Sequence, residues 1–342
     1  MAEKPHRAPG TIKRTSGIGG TDASVICGLS QYRTAFELYL EKRGEIHPDE
    51  TDSEIMRFGR RFEAPIADEF SYRTGRKIWR QKTTLRHPLH RYLLGNIDRW
   101  QRREDGALGV YEGKNHNIRL RKEWINNGVP VGHYLQLQHY IAVAGAVAGA
   151  TFGSFGVVFG GNEFFAFDVE RDDATIQILM SLEIDFWRRV KEGDPPDWDF
   201  GQAGQVLAKK LYSKAVQKKQ ILLEGPSIEA KIKRLLQLKL SIKTREEEEK
   251  SLIAFLQVAM GDAEVATFHG LAKVTWSNQS RRSIDIDKLK KEHPLVAEQV
   301  SVTSESRRFT IKAVDEDSIE IDMTPDAPLI ISSGVRAITF EE

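Results

Sequence analysis

Apolar residues recur along this chain with two different periods, and the alternation between them predicts an α/β architecture. Residues 52–75 place Phe62, Ile66 and Phe70 at positions i, i+4 and i+8, which is the spacing of one helical face. Runs rich in β-branched and aromatic residues follow. The remaining segments are predicted as strands at 77–85, 92–98, 107–114, 150–159 and 163–169, and as helices at 133–147 and 171–192.

These elements predict one α/β domain over residues 11–200, in which helices precede and follow a mixed sheet. Residues 1–10 are expected to form a flexible tail, and residues 201–225 are predicted as a linker. Residues 226–342 are predicted as an accessory region. In that region a long amphipathic helix over 226–260 precedes a small β-rich part.

Composition limits the classes of protein that fit this pattern. Hydrophobic residues make up 40% of the 342 residues, which is enough for a packed core. The single cysteine, Cys27, cannot form an intramolecular disulfide, and the N-terminal segment has no apolar signal-peptide core, so a cytoplasmic location is expected. The sequence has no run of about 18 apolar residues, so no membrane span is predicted.

The formal net charge of +1 is too low for a protein that coats nucleic acid indiscriminately, so any DNA-binding surface must be local. No acidic residue lies between Glu69 and Asp98, although that stretch carries seven Lys or Arg. A second basic cluster contains Arg119, Arg121 and Lys122. Such stretches bind nucleic acid in some proteins and form only a solvated surface in others, and charge alone leaves both interpretations open.

The strongest chemical signal is an acid followed by a Glu-x-Lys strand. Asp98 ends one predicted strand in GNIDRW, and Glu112 and Lys114 stand two apart on the next strand in GVYEGKN. Residues i and i+2 of a strand share a face, so Glu112 and Lys114 are expected to project into one site that Asp98 meets from the side. Two carboxylates suit Mg²⁺, and a lysine beside them can orient a water and offset phosphate charge. The same pattern also occurs on strands that simply face solvent.

Two helices carry polar side chains that could complete such a site. Glu63 lies one step, about 100° of rotation, off the apolar stripe of its helix, at the boundary of the buried face. Gln136 and Tyr140 lie on one helical face at i and i+4, where a glutamine could donate to a phosphate or a water without adding charge. Taken alone, Glu63 and Gln136 are more simply explained as surface residues.

Five sequence blocks occur in an order typical of one nuclease family. Together the blocks cover about residues 14–199. In chain order they are RTSGIGGTDASVICGLSQYRTAFELYLEKRGE, FGRRFEAPIADEFSYRTGRKI, GNID with YEGKN, VPVGHYLQLQHYIAVAG and FWRRVKEGDPPDWD. In this order the chain resembles the YqaJ-like viral recombinases and, more distantly, the lambda exonuclease and RecB-type nuclease families. The resemblance implies an α/β (α+β) fold with a PD-(D/E)XK restriction-endonuclease-like core, a central mixed sheet flanked by helices, plus a C-terminal helical and β-rich appendage.

The resemblance also assigns roles to residues of this sequence. It implies a metal site at four positions: Asp98, Glu112, the carbonyl of Gly113, and Glu63, which completes a second metal site or its water shell. Lys114 is the implied catalytic lysine, and Gln136 is implied to position the nucleophile or the scissile phosphate with support from Tyr140. The proline of the family name is absent, because Ile97 precedes the metal aspartate.

A pocket for a 5′ phosphate is implied near the N-terminus. In the lambda exonuclease family an arginine and a serine hold this phosphate, and Arg14 and Thr21 match them at the same separation. Asn96 takes the place of another phosphate-contacting serine, so two of the three positions are substitutions. Arg119 and Arg121 complete the expected DNA-binding set.

The function that the resemblance implies is a Mg²⁺-dependent DNA exonuclease in which Mn²⁺ can substitute. It would degrade one strand of linear duplex DNA from an end, 5′ to 3′, and feed a single-strand annealing protein during phage or prophage recombination in the host cytoplasm. A homo-oligomer is also implied, with a trimeric ring as its model. Two alternatives stay open: a structure-specific endonuclease, and a non-catalytic DNA-end-binding protein that keeps the fold.

Overall fold

A computed structural model describes residues 14–47, 53–268, 272–302 and 311, so the expected tail at 1–10 lies outside the described residues. The chain forms two compact units, the first reaching Leu211 and the second beginning at Tyr212. The helices are α1 (Gly20–Ile26), α2 (Ala35–Arg43), α3 (Glu54–Thr74), α4 (Arg121–Asn127), α5 (Val131–Ala148), α6 (Asp173–Glu192), α7 (Gln202–Leu211), α8 (Pro226–Met260), α9 (Ile286–Glu292) and α10 (Pro294–Val300). Among the described residues, no helix is long and apolar enough to span a bilayer.

The strands of the first unit build a mixed sheet. The strands are β1 (Ile18–Gly19), β2 (Lys77–Arg80), β3 (Leu85–Arg86), β4 (Leu93–Gly95), β5 (Arg99–Arg102), β6 (Leu108–His116), β7 (Phe152–Phe159) and β8 (Glu163–Glu170). Five of them form the central sheet in the order β2-β5-β6-β7-β8. β6 and β7 run parallel and the other neighbours run antiparallel, so the predicted mixed sheet is confirmed. A smaller sheet has the order β1-β4-β3.

One predicted strand of the first unit is divided in the structure, another is shortened, and two strands, β1 and β5, were not predicted. The segment 77–85 forms β2 and β3, which belong to different sheets, and 92–98 contributes only β4. β5 escaped prediction because charged residues stand at both of its ends. Its Gln101 is buried because the side-chain amide donates to the carbonyl oxygen of Val110 at 2.6 Å. Asp98 therefore precedes β5 and does not end the preceding strand.

Helices cover both faces of the central sheet. Alternation along β6 turns Tyr111 towards α3, where its ring centroid lies 4.7 Å from that of Phe70. Val110 turns the other way and joins the main apolar core with Leu137 of α5. The even-numbered residues of β6 therefore face α5, which is the face that carries the candidate chemistry.

The first unit extends further than the sequence indicates. Residues 202–211, placed in the predicted linker, form α7, and its Ala203 and Leu207 are buried. In the second unit, α8 spans the predicted long helix as 35 residues. Beyond α8, the described residues form a hairpin of β9 (Val265–Phe268) and β10 (Ala272–Thr275) and the helices α9 and α10, and much of the part predicted to be β-rich lies outside the described residues.

A buried ion pair fastens α5 to α6 and to β4. His139 Nδ1 lies 2.7 Å from Glu183 Oε1, and His139 Nε2 lies 3.0 Å from the carbonyl oxygen of Leu94. Burial by itself lowers the pKa of His139, but the carboxylate of Glu183 outweighs burial and raises that pKa above its ordinary value. The protonated imidazole can then donate from both ring nitrogens, so one side chain ties three elements together.

Replacing Glu183 with alanine should lower the free energy of unfolding by about 3–5 kcal/mol, because it leaves a buried group without its partner. Asp185→Ala on the same helix is the matched control. Asp185 pairs with Arg188 and Arg189 at the surface, so its loss should cost less than about 1 kcal/mol. Urea unfolding followed by tryptophan fluorescence measures both, since five of the six tryptophans precede Leu211. Equal stability of the two variants would contradict the role given to the pair.

Candidate active site

Glu112 and Lys114 project from β6 on the face that α5 covers. Lys114 Nζ lies 3.0 Å from Glu112 Oε1. β6 is held on both sides, by β5 in antiparallel register and by β7 in parallel register along its last eight residues, 109–116. A strand paired on both sides has little freedom, so the two side chains start from fixed backbone positions.

Asp98 approaches the same point from the neighbouring strand. The β5–β6 register pairs Arg99 with Tyr111, and its continuation brings Asp98 opposite Glu112. Asp98 Oδ2 accepts a hydrogen bond from the N–H of Gly113 at 2.9 Å. An acid before one strand and Glu-x-Lys on the adjacent strand is the arrangement of a PD-(D/E)XK core. The carbonyl of Gly113 stays a predicted ligand, because the structure shows only its N–H engaged with the carboxylate.

Gln136 of α5 joins Glu112 and Lys114 into a closed triangle of hydrogen bonds. Its Nε2 donates to Glu112 Oε1 at 2.7 Å, and its Oε1 accepts from Lys114 Nζ at 3.1 Å. A side-chain amide can donate to a carboxylate and accept from an ammonium at once. Gln136 is buried, contrary to the simpler surface interpretation, and it holds the lysine in place.

Tyr140 lies one turn further along α5 and is also buried. Its ring packs against Gly20 at the start of α1, so closely that a Cβ on Gly20 would lie 2.6 Å from the ring and 3.0 Å from the carbonyl oxygen of Gln136. Burial, and then the charge of Glu112, raise the pKa of Tyr140 well above its usual range. Tyr140 therefore stays uncharged beside the site, and its ring packs α1 against α5.

The carboxylates of the site repel one another. Burial and then the negative charge of Glu112 raise the pKa of Asp98 well above its usual range, although the Gly113 N–H acts in the opposite direction. The same two causes, in the same order, raise the pKa of Glu63. Carboxylates crowded in this way favour a positive charge between them.

Glu112 also has a carboxylate oxygen that the described part of the protein leaves unsatisfied. Oε2 is buried and has no hydrogen-bond partner there, whereas buried polar atoms are nearly always satisfied. Within the described ranges, no three His, Cys, Asp or Glu side chains converge into a complete cage for a metal ion. Mg²⁺ does not require such a cage, because it keeps several waters and binds through one or two carboxylates. Asp98 and Glu112 therefore fit a hard divalent cation.

Glu63 reaches this site from the other side of the sheet. It lies on α3, and although the residue as a whole is exposed, its carboxylate is close enough to the protein surface to be partly desolvated. Its pKa responds to the charge of Glu112 and also to Arg80 and Arg99, which places it within electrostatic range of the carboxylates. The second metal site or water shell assigned to Glu63 stays a prediction.

Two of the residues predicted to bind a 5′ phosphate follow a pair of neighbouring strands, Thr21 in the first turn of α1 and Asn96 in the loop after β4. β1 and β4 pair in parallel, with Gly19 opposite Leu94. Thr21 and Asn96 each stand two residues beyond this pair, and both are exposed. Asn96 Oδ1 accepts from the Thr84 hydroxyl at 2.6 Å. Arg14 begins a short 3₁₀ turn just before β1, at Arg14–Ser16.

The two basic residues beyond β6 differ in their surroundings. Arg119 is exposed in the 3₁₀ turn Ile118–Leu120. Arg121 is engaged by the protein, because its Nε lies 2.5 Å from Glu163 Oε2 and its guanidinium carbon lies 5.4 Å from the centroid of the Phe165 ring. This partner is 42 positions away, so the sequence could not indicate it. Arg119 is the freer candidate for contact with DNA.

Two histidines that the sequence analysis did not select complete the surroundings of Lys114. His116 is the next residue of β6 on the same face, and His133 lies one turn before Gln136 on α5, with ring centroids 5.2 Å apart. Burial and then the charge of Lys114 lower the pKa of His116 to about 4 and that of His133 to about 3. Both rings are neutral at physiological pH. The sequence did offer a signal for both histidines. His116 stands two residues after Lys114 on the same strand, and His133 stands three residues before Gln136 on the same helix.

Comparison with known proteins identifies the family of this chain. A model of the YqaJ-like viral recombinase domain matches residues 12–147. The chain is 36% identical over 304 residues to the uncharacterized protein YqaJ of Bacillus subtilis strain 168, covering 89% of this chain and 93% of that protein. The alkaline exonuclease LHK-Exo from Laribacter hongkongensis is 17% identical, with 58% of this chain and 94% of that chain covered and a TM-score of 0.43; its complex with dAMP gives 0.44. The chain belongs to the YqaJ-like viral recombinase family.

Proposed function

We propose that this protein is a metal-dependent exonuclease that hydrolyses phosphodiester bonds of linear double-stranded DNA during phage or prophage homologous recombination. The observation that carries the proposal is the convergence of Asp98 and Lys114 on Glu112, whose Oε1 lies 3.0 Å from Lys114 Nζ and whose Oε2 is buried and unsatisfied within the described residues. Family membership supports the recombination role.

The residues of the site divide the work of hydrolysis. Asp98 and Glu112 would hold Mg²⁺, or Mn²⁺ in its place, which supplies positive charge that polarises the phosphate and favours loss of a proton from water. Lys114, held by Glu112 and Gln136, presents an ammonium that orients the attacking water and offsets the charge that grows on the phosphate. Gln136 adds an amide beside that water without adding charge.

Several finer features of the proposal come from the family resemblance. These are 5′ to 3′ polarity, a single-strand annealing partner, assembly into a ring and action in the bacterial cytoplasm. A structure-specific endonuclease would use the same residues, whereas a non-catalytic DNA-end-binding protein would not need them. The retained set of Asp98, Glu112, Lys114 and Gln136 therefore favours an enzyme.

Removal of divalent metal should abolish cleavage of linear duplex DNA, and Mg²⁺ or Mn²⁺ should restore it, because the carboxylates of Asp98 and Glu112 are hard oxygen ligands that lie beside a lysine. Ca²⁺ should support DNA binding without cleavage. Gel assays of cleavage and fluorescence anisotropy of a labelled duplex measure the two effects separately. Undiminished cleavage in excess EDTA would refute metal dependence.

Lys114→Ala, Glu112→Ala and Asp98→Ala should each reduce the cleavage rate at least about 10²-fold, because each removes a charge that the transition state needs. Lys209→Ala is the matched control, since Lys209 is exposed on α7. Circular dichroism should show that all four variants are folded. A near-normal rate for Lys114→Ala would mean that this lysine is not the catalytic one.

A terminal phosphate carries more charge than an internal diester, so a pocket at Arg14, Thr21 and Asn96 would favour ends that bear it. Linear duplexes with 5′-phosphate ends should be degraded several-fold faster than those with 5′-hydroxyl ends. Arg14→Ala should slow only the phosphate-ended substrate.

A covalently closed duplex is the control for the exonuclease mode, and it should resist cleavage. Rapid nicking of that circle would favour the endonuclease alternative. Equal rates on the two kinds of linear end would remove the phosphate pocket and leave the metal site in place.

A further inference from the structure

The long helix α8 carries a seam with the period of a coiled coil. From Ile228 onwards, one face is defined by alternating intervals of four and three residues. The seam consists of Ile228, Ile232, Leu235, Lys239, Ile242, Glu246, Glu249, Ile253 and Leu256. It is apolar at both ends and polar in the middle. Six of these nine positions are aliphatic, and such a spacing along a helix of 35 residues favours a helical partner.

Most of the apolar residues of this seam are exposed to solvent in the described part of the chain. The exposed fractions are 54% for Ile242, 45% for Ile253 and 42% for Leu256. Ile232 and Leu235, at the other end of the seam, are half-buried. A row of aliphatic side chains with this exposure is typical of a surface that another molecule covers.

Charge along α8 selects the identity and direction of the partner. Residues 226–245 contain six Lys or Arg and one Glu, whereas residues 246–260 contain four Glu and one Lys. Parallel pairing with an identical helix would place like charges side by side. Antiparallel pairing would place the basic half of each helix on the acidic half of the other, which is favourable.

The seam itself supports the antiparallel register. Two copies that run in opposite directions and centre on Thr244 bring apolar residues together towards both ends and opposite charges together near the middle. The facing pairs are Ile232 with Leu256, Leu235 with Ile253, Lys239 with Glu249, and Ile242 with the stem of Glu246. Leu238 and Leu252, which flank the seam, also come side by side. A polar layer inside an apolar seam specifies register.

We propose that α8 binds α8 of a second copy of this chain as an antiparallel two-fold pair. The contact is isologous, because each helix offers the same seam to the other. It joins chains in even numbers: two chains alone, or paired rings if the first units also assemble into rings. The proposal does not rest on the nuclease function, because no residue of the candidate active site takes part.

The facing pair of Lys239 and Glu249 allows a direct test, in which the charges of the two residues are reversed in the full chain. Lys239→Glu alone, or Glu249→Lys alone, sets like charges against each other twice in the pair and should raise its dissociation constant at least about tenfold. The double exchange, Lys239→Glu with Glu249→Lys, should restore the affinity. Glu248→Lys is the matched control, since Glu248 points away from the seam. Sedimentation analysis measures the assembly, and circular dichroism checks that the helix is retained.

Disulfide formation tests the direction of pairing. With Cys27 replaced by alanine, Leu235→Cys and Ile253→Cys chains should cross-link with each other when mixed and should not cross-link when alone. Cross-linking of either variant by itself would indicate parallel pairing and overturn the proposal. So would a single chain or an odd-numbered assembly as the wild-type species, or single charge reversals that leave the assembly unchanged.

Discussion

The hydrogen-bonded triangle of Lys114, Glu112 and Gln136 is the interaction on which the rest of the site depends. A lysine and a glutamate that are largely removed from water must be satisfied by near neighbours, and only a close approach of α5 to β6 supplies the amide. That approach is secured by His139, three residues along the same helix, through its pair with Glu183. The buried pair of His139 and Glu183 thus holds α5 in the position that the triangle requires, although the pair lies outside the proposed chemistry.

The sequence predicted the shared strand face of Glu112 and Lys114 more completely than it predicted the strands of the sheet. Glu112 and Lys114 are two apart on one strand, so strand periodicity alone places them on one face. The position of Asp98 depends on β5, whose ends are charged and whose buried Gln101 donates its side-chain amide to the carbonyl oxygen of Val110 on β6. Such a strand has no apolar alternation of its own, and its existence follows from tertiary pairing.

Long-range partners explain the other differences. Gln136 had the appearance of a surface residue because both of its acceptor and donor partners lie on a distant strand. Arg121 had the appearance of a free cation because Glu163 is far away in sequence. Residues 202–211 had a weak pattern, yet they fold as α7 with Leu207 buried. In each case the local sequence pattern cannot indicate the partner, because the partner is distant in sequence and is brought close only by folding.

Three uncharged side chains lie around Lys114, so they add no second positive charge beside its ammonium. His116 and His133 are half-buried, Tyr140 is buried, and none of them is charged at physiological pH. The ammonium therefore meets its carboxylate and amide partners in a medium of low polarity, where electrostatic interactions are stronger than in water.

The contact between Gly20 and Tyr140 has a consequence for how far a substrate would advance in each cycle. No side chain fits between α1 and α5 at this point, so Thr21 sits at a constant distance from the helix that holds Gln136. A strand whose terminal phosphate rests near Thr21 would present the same linkage to Lys114 every time. The packing of two helices would then act as a ruler, and the product of each turnover would have one uniform length.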